Sequence, residues 1–176
     1  MNKVTLDEFR QKLIGGGHRN NRFKVNVNFP SGLAVGDAQS SFEFLGYSST
    51  MPAQGIDEIA VKCRGRTVFL PGDLTPPEEW SVTIYNTTAF DIRNTCLNWK
   101  NSYIAPDSIT GNEEIALSTA TVELLGKDNM TVVQRATLYN AWAKNVGAIE
   151  LSWENDSAIS TFQLSIRYDY IIEESV

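Results

Sequence analysis

Residues 145–170 read NVGAIELSWENDSAISTFQLSIRYDY, and this stretch is the strongest guide to the fold class. Apolar and polar residues alternate in it twice, over residues 148–153 and again over residues 161–170. Successive side chains of a β-strand point to opposite faces, so a period of two predicts strands. Asn155-Asp156-Ser157 separates the two runs and has the short polar side chains that favour turns. The stretch predicts a hairpin with one polar face and one apolar face that needs a covering layer.

The same alternation predicts further strands along the chain. Residues 22–29 alternate most clearly, with Phe23, Val25 and Val27 on one face. The other predicted strands span residues 41–47, 59–63, 66–70, 80–85, 116–125 and 130–142. Residues 59–70 form a long hairpin in this interpretation. Proline and glycine predict an irregular loop over residues 71–77, and small polar residues predict a loop up to residue 41.

Two helices are predicted. Residues 88–103 place Ile92, Cys96 and Trp99 on one wide apolar stripe, so this helix is expected to cover the sheet, with Thr88 and Asp91 at its N-cap. A short helix over residues 5–14, capped by Thr5 and Glu8, ends at three glycines that suggest a hinge. The expected fold is mainly β, a β-sandwich or small barrel with one flanking helix. We expect one domain over residues 1–176, with residues 1–20 as helix and hinge and residues 22–172 as the sandwich.

Composition and charge limit the function. The 176 residues carry a formal net charge of −6 with a pI near 4.8, which argues against a general nucleic-acid binder. The first ten residues lack the apolar core of a signal peptide, and no apolar run approaches the ~18 residues of a membrane span. We therefore expect a protein that is made and used in the cytoplasm, without stable membrane binding.

Chemistry-bearing residues are sparse. His18 is the single histidine and lies beside the glycine hinge, without a serine or cysteine motif near it, so neither a catalytic triad nor a metal site is expected. Cys63 and Cys96 are expected to be reduced and buried, with a disulfide as the alternative. Arg64 and Arg66 flank Gly65 at the predicted hairpin tip, where they either pair with carboxylates of another subunit or are solvated. The sequence predicts no enzyme activity and no cofactor.

A family resemblance lies in the order and spacing of short motifs from about residue 50 onward. The motifs are Met51-Pro52-Ala53, Arg64-Gly65-Arg66, residues 80–84 with Asn86, the helix with Asp91, Arg93 and Trp99, Asn145-Val146-Gly147, and Tyr168-Asp169-Tyr170. In this order the chain resembles the tail tube proteins of contractile-tailed, T-even-like bacteriophages. The resemblance implies a structural, late-expressed virion protein. Six subunits would form a ring, and rings would stack into a hollow tube inside a contractile sheath, through which DNA is ejected into the host.

The resemblance also implies partners, and the residue pattern suggests candidate surfaces for them. The expected partners are further copies of the chain, the sheath protein, and the baseplate initiator, tape-measure and tail-terminator proteins, with DNA only in transit. Ring-to-ring contacts are expected at the hairpin and the loop after it, and bore-lining residues on the polar face of residues 148–170. The contact residues are Arg64, Gly65, Arg66, Pro71 and Asp73. The bore-lining residues are Glu150, Ser152, Gln163, Ser165, Arg167 and Asp169.

Three alternatives remain at the level of sequence. The chain is compatible with the inner tube of a non-viral contractile injection system, which shares the same features. A monomeric ligand-binding β-barrel would be closed, hold an apolar pocket and not polymerise. An enzyme would depend on His18 or on the acidic pairs Glu78-Glu79 and Glu113-Glu114, and no substrate is indicated.

Overall fold

Strands dominate the fold, which confirms the mainly β prediction. The computed structural model describes residues 6–13, 16–107, 117–154 and 158–176. Within them the helices are α1 (Leu6–Lys12), α2 (Ala38–Leu45) and α3 (Asp91–Asn101). The strands are β1 (Phe23–Asn28), β2 (Gly46–Ser49), β3 (Ile56–Cys63), β4 (Arg66–Leu74), β5 (Trp80–Tyr85), β6 (Ser118–Leu125), β7 (Val132–Val146), β8 (Thr161–Arg167) and β9 (Tyr170–Ser175). The proposed division into domains stays a prediction.

A seven-stranded antiparallel sheet folds around one core. Its order is β1-β6-β7-β8-β5-β2, and β9 also pairs with β7. The 15-residue β7 belongs to both halves, because its first part pairs with β6 and β9 and its last part with β8. At Gly46 of β2 a Cβ atom would lie 2.5 Å from Val25 Cγ2 of β1, so the two edge strands approach closely without sharing a ladder. The largest fully buried side chains are Trp80, Trp99, Phe42, Phe162, Ile84, Ile92, Leu138, Leu164 and Ile166.

Helix α3 covers this core, as the apolar stripe predicts. Ile92, Cys96 and Trp99 are buried, and the Trp99 ring meets the Phe29 ring edge to face at 5.6 Å. The helix begins at Asp91, three residues later than predicted. The predicted N-cap at Thr88 is wrong, because the residue before the helix is Phe90, in a left-handed conformation with φ 57°. Thr5 of the other predicted cap lies outside the described residues.

Helix α2 occupies a region that the sequence pattern assigns to a loop and a strand. Ala38, Phe42 and Leu45 pack on the core at helical spacing, whereas Phe44, which alternation places with Phe42, is 80% exposed. The prediction of a strand over residues 41–47 is therefore wrong, and only Gly46–Ser49 is extended. The Gln39 amide donates to the Val27 carbonyl at 2.6 Å and accepts from the Phe29 N–H at 3.2 Å. These bonds block the free edge of β1.

The hairpin predicted for residues 145–170 is also wrong in its first half. Residues 147–154 are not a strand, and the ladder between β7 and β8 stops near Gly147, whose N–H donates to the Gln163 carbonyl at 2.7 Å. The Gly147 carbonyl instead accepts from the Arg93 guanidinium at 2.7 Å, so α3 draws the chain off the sheet edge. The Asn155-Asp156-Ser157 turn lies outside the described residues.

The second half of that stretch forms two strands instead of one. Asn140 has φ 54° and donates to the Asp169 carboxylate at 2.7 Å, so β7 and its partner strand bend at the same level. Phe162, Leu164, Ile166 and Tyr168 are buried as predicted, but Tyr170 is half exposed and stacks on Tyr139. The bend ends β8 at Arg167 and starts β9 at Tyr170.

Candidate assembly surfaces

The β3–β4 hairpin, called the arm below, is a separate two-stranded sheet. All residues of both strands are exposed except the half-buried Gly72. The irregular loop predicted for Pro71-Gly72-Asp73 is wrong, because β4 continues through these residues opposite a register shift at Ile56 and Glu58. Proline is tolerated there because an edge strand has no partner for the missing N–H. A lone two-stranded hairpin is marginally stable in water, so the arm is expected to gain stability from a partner.

One face of the arm is apolar. The pairs Ile59–Leu70 and Val61–Val68 lie directly opposite each other and share a face, and their side chains are 43–53% exposed. Few soluble monomers expose a continuous apolar stripe of this kind without a binding function. The other face alternates Glu58–Pro71, Ala60–Phe69 and Lys62–Thr67. The polar residues Glu58, Lys62 and Thr67 lie on this second face together with the exposed Phe69, and both faces of the arm are exposed in the described chain.

The arm tip is a two-residue turn with concentrated positive charge. Arg64 and Gly65 both have positive φ, 45° and 82°, which is the conformation of a type I′ turn. Glycine adopts this conformation freely, but arginine does so at a cost of about 1 kcal/mol or more. The exposed side chains of Lys62, Arg64 and Arg66 surround the turn. Strained placement of an arginine at an exposed tip suggests a binding role for its charge.

A second unusual surface follows β7. We call residues 147–154 together with residues 158–160 the acceptor loop. Its ends are anchored: Gly147 bonds to Gln163 and Arg93, and the Asn86 N–H donates to the Ser160 carbonyl at 2.9 Å. The Arg93 guanidinium also lies 5.3 Å from the Phe162 ring centroid. The loop is thereby held against β8 and the start of α3.

Between its anchors the acceptor loop exposes apolar side chains. Leu151 and Trp153 project almost fully into solvent, and Ile159 is 68% exposed. The loop and β8 enclose an open groove of about 900 Å³. Thr83, Glu150, Leu151, Ile159, Phe162 and Gln163 are among the residues that line it. An exposed tryptophan beside an open groove is typical of a protein–protein contact.

The predicted bore-lining residues fall into different environments. Glu150 and Ser152 lie in the acceptor loop and not on a strand, and Asp169 lies in the bend between β8 and β9. Gln163 is exposed and Arg167 is half-buried on β8, whereas Ser165 is only 9% exposed between β5 and β7. A second polar face covers the outer side of β1, β6 and β7, where Arg135 and Glu123 form an ion pair at 2.7 Å. Which face lines a bore stays a prediction.

The remaining chemistry-bearing groups are dispersed. His18 is exposed, and among the described residues no three His, Cys, Asp or Glu side chains gather in a way that holds a metal ion. Burial raises the pKa of the Cys96 thiol to about 12, so this thiol is unreactive near neutral pH. Cys63 is exposed near the arm tip, and its predicted burial is wrong. No helix in the described ranges is long and apolar enough to span a membrane.

The sequence predicts the hairpin of the arm, but it does not predict that the apolar face of this hairpin is exposed. The alternation of Ile59, Val61, Val68 and Leu70 is visible in the sequence, but it does not say that the apolar face stays uncovered. Alternation also predicts a strand over residues 148–153 with Glu150 and Ser152 on its polar face, but it does not predict that Leu151 and Trp153 are exposed in the acceptor loop. Its single sequence signal is Trp153 next to an acidic turn, where a buried tryptophan is unexpected.

The curated relatives of this chain are tail tube proteins of bacteriophages. No family model matches the chain. The tail tube protein gp19 of Enterobacteria phage T4 is 27% identical over 154 residues, which cover 86% of this chain and 89% of that protein. The tail tube protein of Serratia phage KSP90 is 28% identical over 170 residues and 94% of both chains. The predicted resemblance to phage tail tube proteins is confirmed by these relatives.

Solved structures of similar fold come from contractile injection systems. The sheath–tube complex of the extracellular contractile injection system PVC contains a chain with a TM-score of 0.63 at 14% identity, covering 95% of this chain and 97% of that one. The tube-terminating cap of the anti-feeding prophage contains another with a TM-score of 0.64 at 13% identity, covering 91% and 92%. At such identities the comparison shows a shared fold.

Proposed function

We propose that this chain is the subunit of a phage tail tube. Six copies form a ring, and rings stack into a hollow tube inside a contractile sheath, through which DNA passes into the host. The observation that carries the proposal is the arm: a hairpin with an apolar face, exposed along its length, projects from the body of a chain whose relatives are tail tube proteins. Such a surface serves a self-assembling protein better than a monomer.

The arm is the proposed ring-to-ring contact. Arg64, Gly65 and Arg66 form its tip and Pro71 and Asp73 its root, so the five predicted contact residues lie on one projecting element. Burial of its apolar face against a neighbour would contribute roughly 25 cal/mol for each Å² removed from water. Because the hairpin contributes little to the folded body, this energy is available for assembly.

The predicted bore is compatible with passage of DNA. Six copies, each with a formal charge of −6, give a strongly acidic ring. Phosphate groups are repelled by such a surface, and weak binding keeps the genome moving. Of the predicted bore-lining set, Gln163, Ser165, Arg167 and Asp169 remain proposed for the bore, with Ser165 the least accessible. Glu150 and Ser152 lie in the acceptor loop instead of on a strand.

The proposed partners follow from the tube itself. They are the sheath protein, a baseplate tube initiator, a tape-measure protein and a tail terminator, with assembly in the host cytoplasm and a final position in the virion tail. The role is structural and not enzymatic, in keeping with relatives that are tail tube proteins. A role in a non-viral injection system is the second candidate, favoured by the PVC and anti-feeding prophage folds at much lower sequence identity.

Negative-stain electron microscopy of the purified protein over a range of concentrations tests the proposal. We expect rings or hollow tubes with sixfold end views, with a baseplate seed added where nucleation is slow. A matched control lacks the arm: the Thr75 N–H donates to the Gly55 carbonyl at 3.1 Å, so Gly-Gly can replace residues 56–74 without straining the body. That variant should fold and not form tubes. A wild-type protein that stays monomeric with the seed present would contradict the proposal and favour a ligand-binding barrel.

A further inference from the structure

The arm and the acceptor loop lie at opposite ends of one strand. The root of the arm lies at the Trp80 end of β5, because residues 50–55 join it to β2 and residues 75–79 join it to Trp80, which pairs with Ile166. The acceptor loop leads into β8 at Thr161, which pairs with Tyr85 at the other end of β5. Six residues of strand, roughly 17 Å, separate the two ends. A subunit with different surfaces at its two ends can join copies head to tail without limit.

The two surfaces carry opposite charge. Residues 59–71 contain three cations, Lys62, Arg64 and Arg66, and no acid. Residues 145–166 contain no lysine, arginine or histidine, and Glu150 and Glu154 are exposed in the acceptor loop. Within the part of the chain that the structure describes, none of these five side chains takes part in an ion pair. Each end therefore presents charges of one sign that form no ion pair with another described residue of its own subunit.

Both surfaces also combine exposed apolar side chains with their charged residues. The arm offers a stripe that ends in Val61 and Val68 next to the basic tip. The acceptor loop offers Leu151, Trp153 and Ile159 beside its acidic residues and an open groove of about 900 Å³. Acidic residues at the arm root, Asp57, Glu58 and Asp73, are confined to the end of the hairpin away from the tip. The arm tip is thus the part suited to an acidic, apolar groove.

We propose that the acceptor loop of one copy receives the arm tip of a second copy, with Arg64 and Arg66 opposite Glu150 and Glu154 and with Trp153 against the apolar stripe. This inference rests on the proposed tube function and names the surface that the arm contacts. It assigns Glu150 to the junction between rings instead of the bore. The Arg93 contact with Gly147 then acts in positioning, because it holds the loop in place for the incoming arm.

Charge reversal with rescue tests the pairing. Glu150→Lys with Glu154→Lys should raise the concentration needed for tube formation at least about tenfold, since like charges at a close contact oppose binding. Arg64→Glu with Arg66→Glu should do the same. The quadruple variant restores opposite charges and should assemble within about threefold of wild type. Asp37→Lys with Asp107→Lys changes the net charge equally at exposed sites elsewhere and should assemble normally.

Two results would overturn the pairing while leaving the tube function intact. One is tube formation by the loop double variant at the wild-type concentration. The other is a quadruple variant that folds, as judged by circular dichroism, but assembles no better than either double variant. Failure of the wild-type protein to form tubes with a seed would instead remove the proposed function, and the pairing with it.

Cross-linking gives an independent readout, because the chain supplies its own probe. Cys63 is exposed beside the arm tip, and Cys96 is buried and unreactive. Ser152→Cys adds a second exposed thiol in the acceptor loop. Assembled tubes of this variant, treated with a short bismaleimide, should give ladders of covalent oligomers on a denaturing gel. Adding Cys63→Ser should abolish the ladder, and Asp107→Cys in place of Ser152→Cys should not produce one. Equal ladders from both cysteine positions would refute the assignment.

Discussion

The seven-stranded sheet, called the body here, and the arm both have alternating apolar and polar residues, but their apolar residues are buried to different extents. In β5 the alternate residues Trp80, Val82 and Ile84 are at most 1% exposed, because β8 and β2 flank the strand and the core covers its inner face. In the arm the alternate residues Ile59 and Val61 are about half exposed, although their period is the same. Alternation therefore predicts that one face of a strand will be buried, but not whether the same chain or another copy will bury it.

This comparison separates stability from assembly. Substitutions on the inner face of the body should reduce folding, and substitutions on the apolar face of the arm should reduce assembly while the monomer stays folded. The variants below test that separation, beginning with the largest expected effect.

Ile166→Asp should prevent folding. Ile166 is fully buried on β8 between β5 and β7, and an unpaired carboxylate there costs more than about 4 kcal/mol. Soluble yield and far-ultraviolet circular dichroism report the result. Gln163→Asp on the same strand is the control, because Gln163 is exposed and should change stability by about 0.5 kcal/mol or less. A cooperative melt of the Ile166 variant near the wild-type Tm would mean that the core is misassigned.

Phe42→Ala should lower the free energy of unfolding by about 3–5 kcal/mol, since it leaves a cavity under α2. Phe44→Ala, two residues away, should change it by about 0.5 kcal/mol or less because that ring is already in solvent. Urea denaturation measures both. Equal losses for the two variants would support a strand in place of α2.

Ile59→Ser with Leu70→Ser should leave the Tm of the monomer almost unchanged and abolish tube formation. Both side chains lie on the apolar face of the arm and are about half exposed in the monomer. Ala60→Ser with Thr67→Ser alters the opposite face and should assemble normally. Calorimetry and electron microscopy of the same samples distinguish the two effects. A loss of more than about 2 kcal/mol in the monomer would show that the arm packs on its own body.

Asp128→Ala should have the smallest effect, and that effect should depend on pH. In the β6–β7 turn the Asp128 carboxylate accepts from the Thr131 hydroxyl and N–H and from the Met130 N–H, which lowers its pKa from 3.8 to about 2. The folded state therefore favours the charged form, and the contribution is complete above about pH 4 and is lost as the pH falls towards 2. The Tm difference between variant and wild type should narrow over that interval. A difference that stays constant to pH 2 would contradict this explanation, and Lys127→Ala in the same turn serves as a control.

Much of the body could be predicted from sequence because its strands have local signatures. β1, β5, the β3–β4 hairpin and α3 all follow periods that depend on residues close in the chain. Helix α2 could not be predicted, because over only eight residues its two phenylalanines fit the period of a helix and the period of a strand equally well. The bend at Asn140 and Asp169 could not be predicted, because a single residue with positive φ does not change the periodicity of the sequence. The predicted N-cap of α3 at Thr88 is wrong because cap geometry depends on where the chain enters a helix.

For the candidate surfaces, too, some properties could be predicted from the sequence and others could not. The sequence alone determined a mainly β fold, a hairpin with Arg64 and Arg66 at its tip, and a resemblance to phage tail tube proteins. Tertiary structure alone decided that Arg93 ends the ladder at Gly147, that Trp153 faces solvent, and that the arm and the acceptor loop lie at opposite ends of β5. The physical reason is that periodicity is local, whereas burial and the free edge of a strand depend on contacts between residues far apart in the chain.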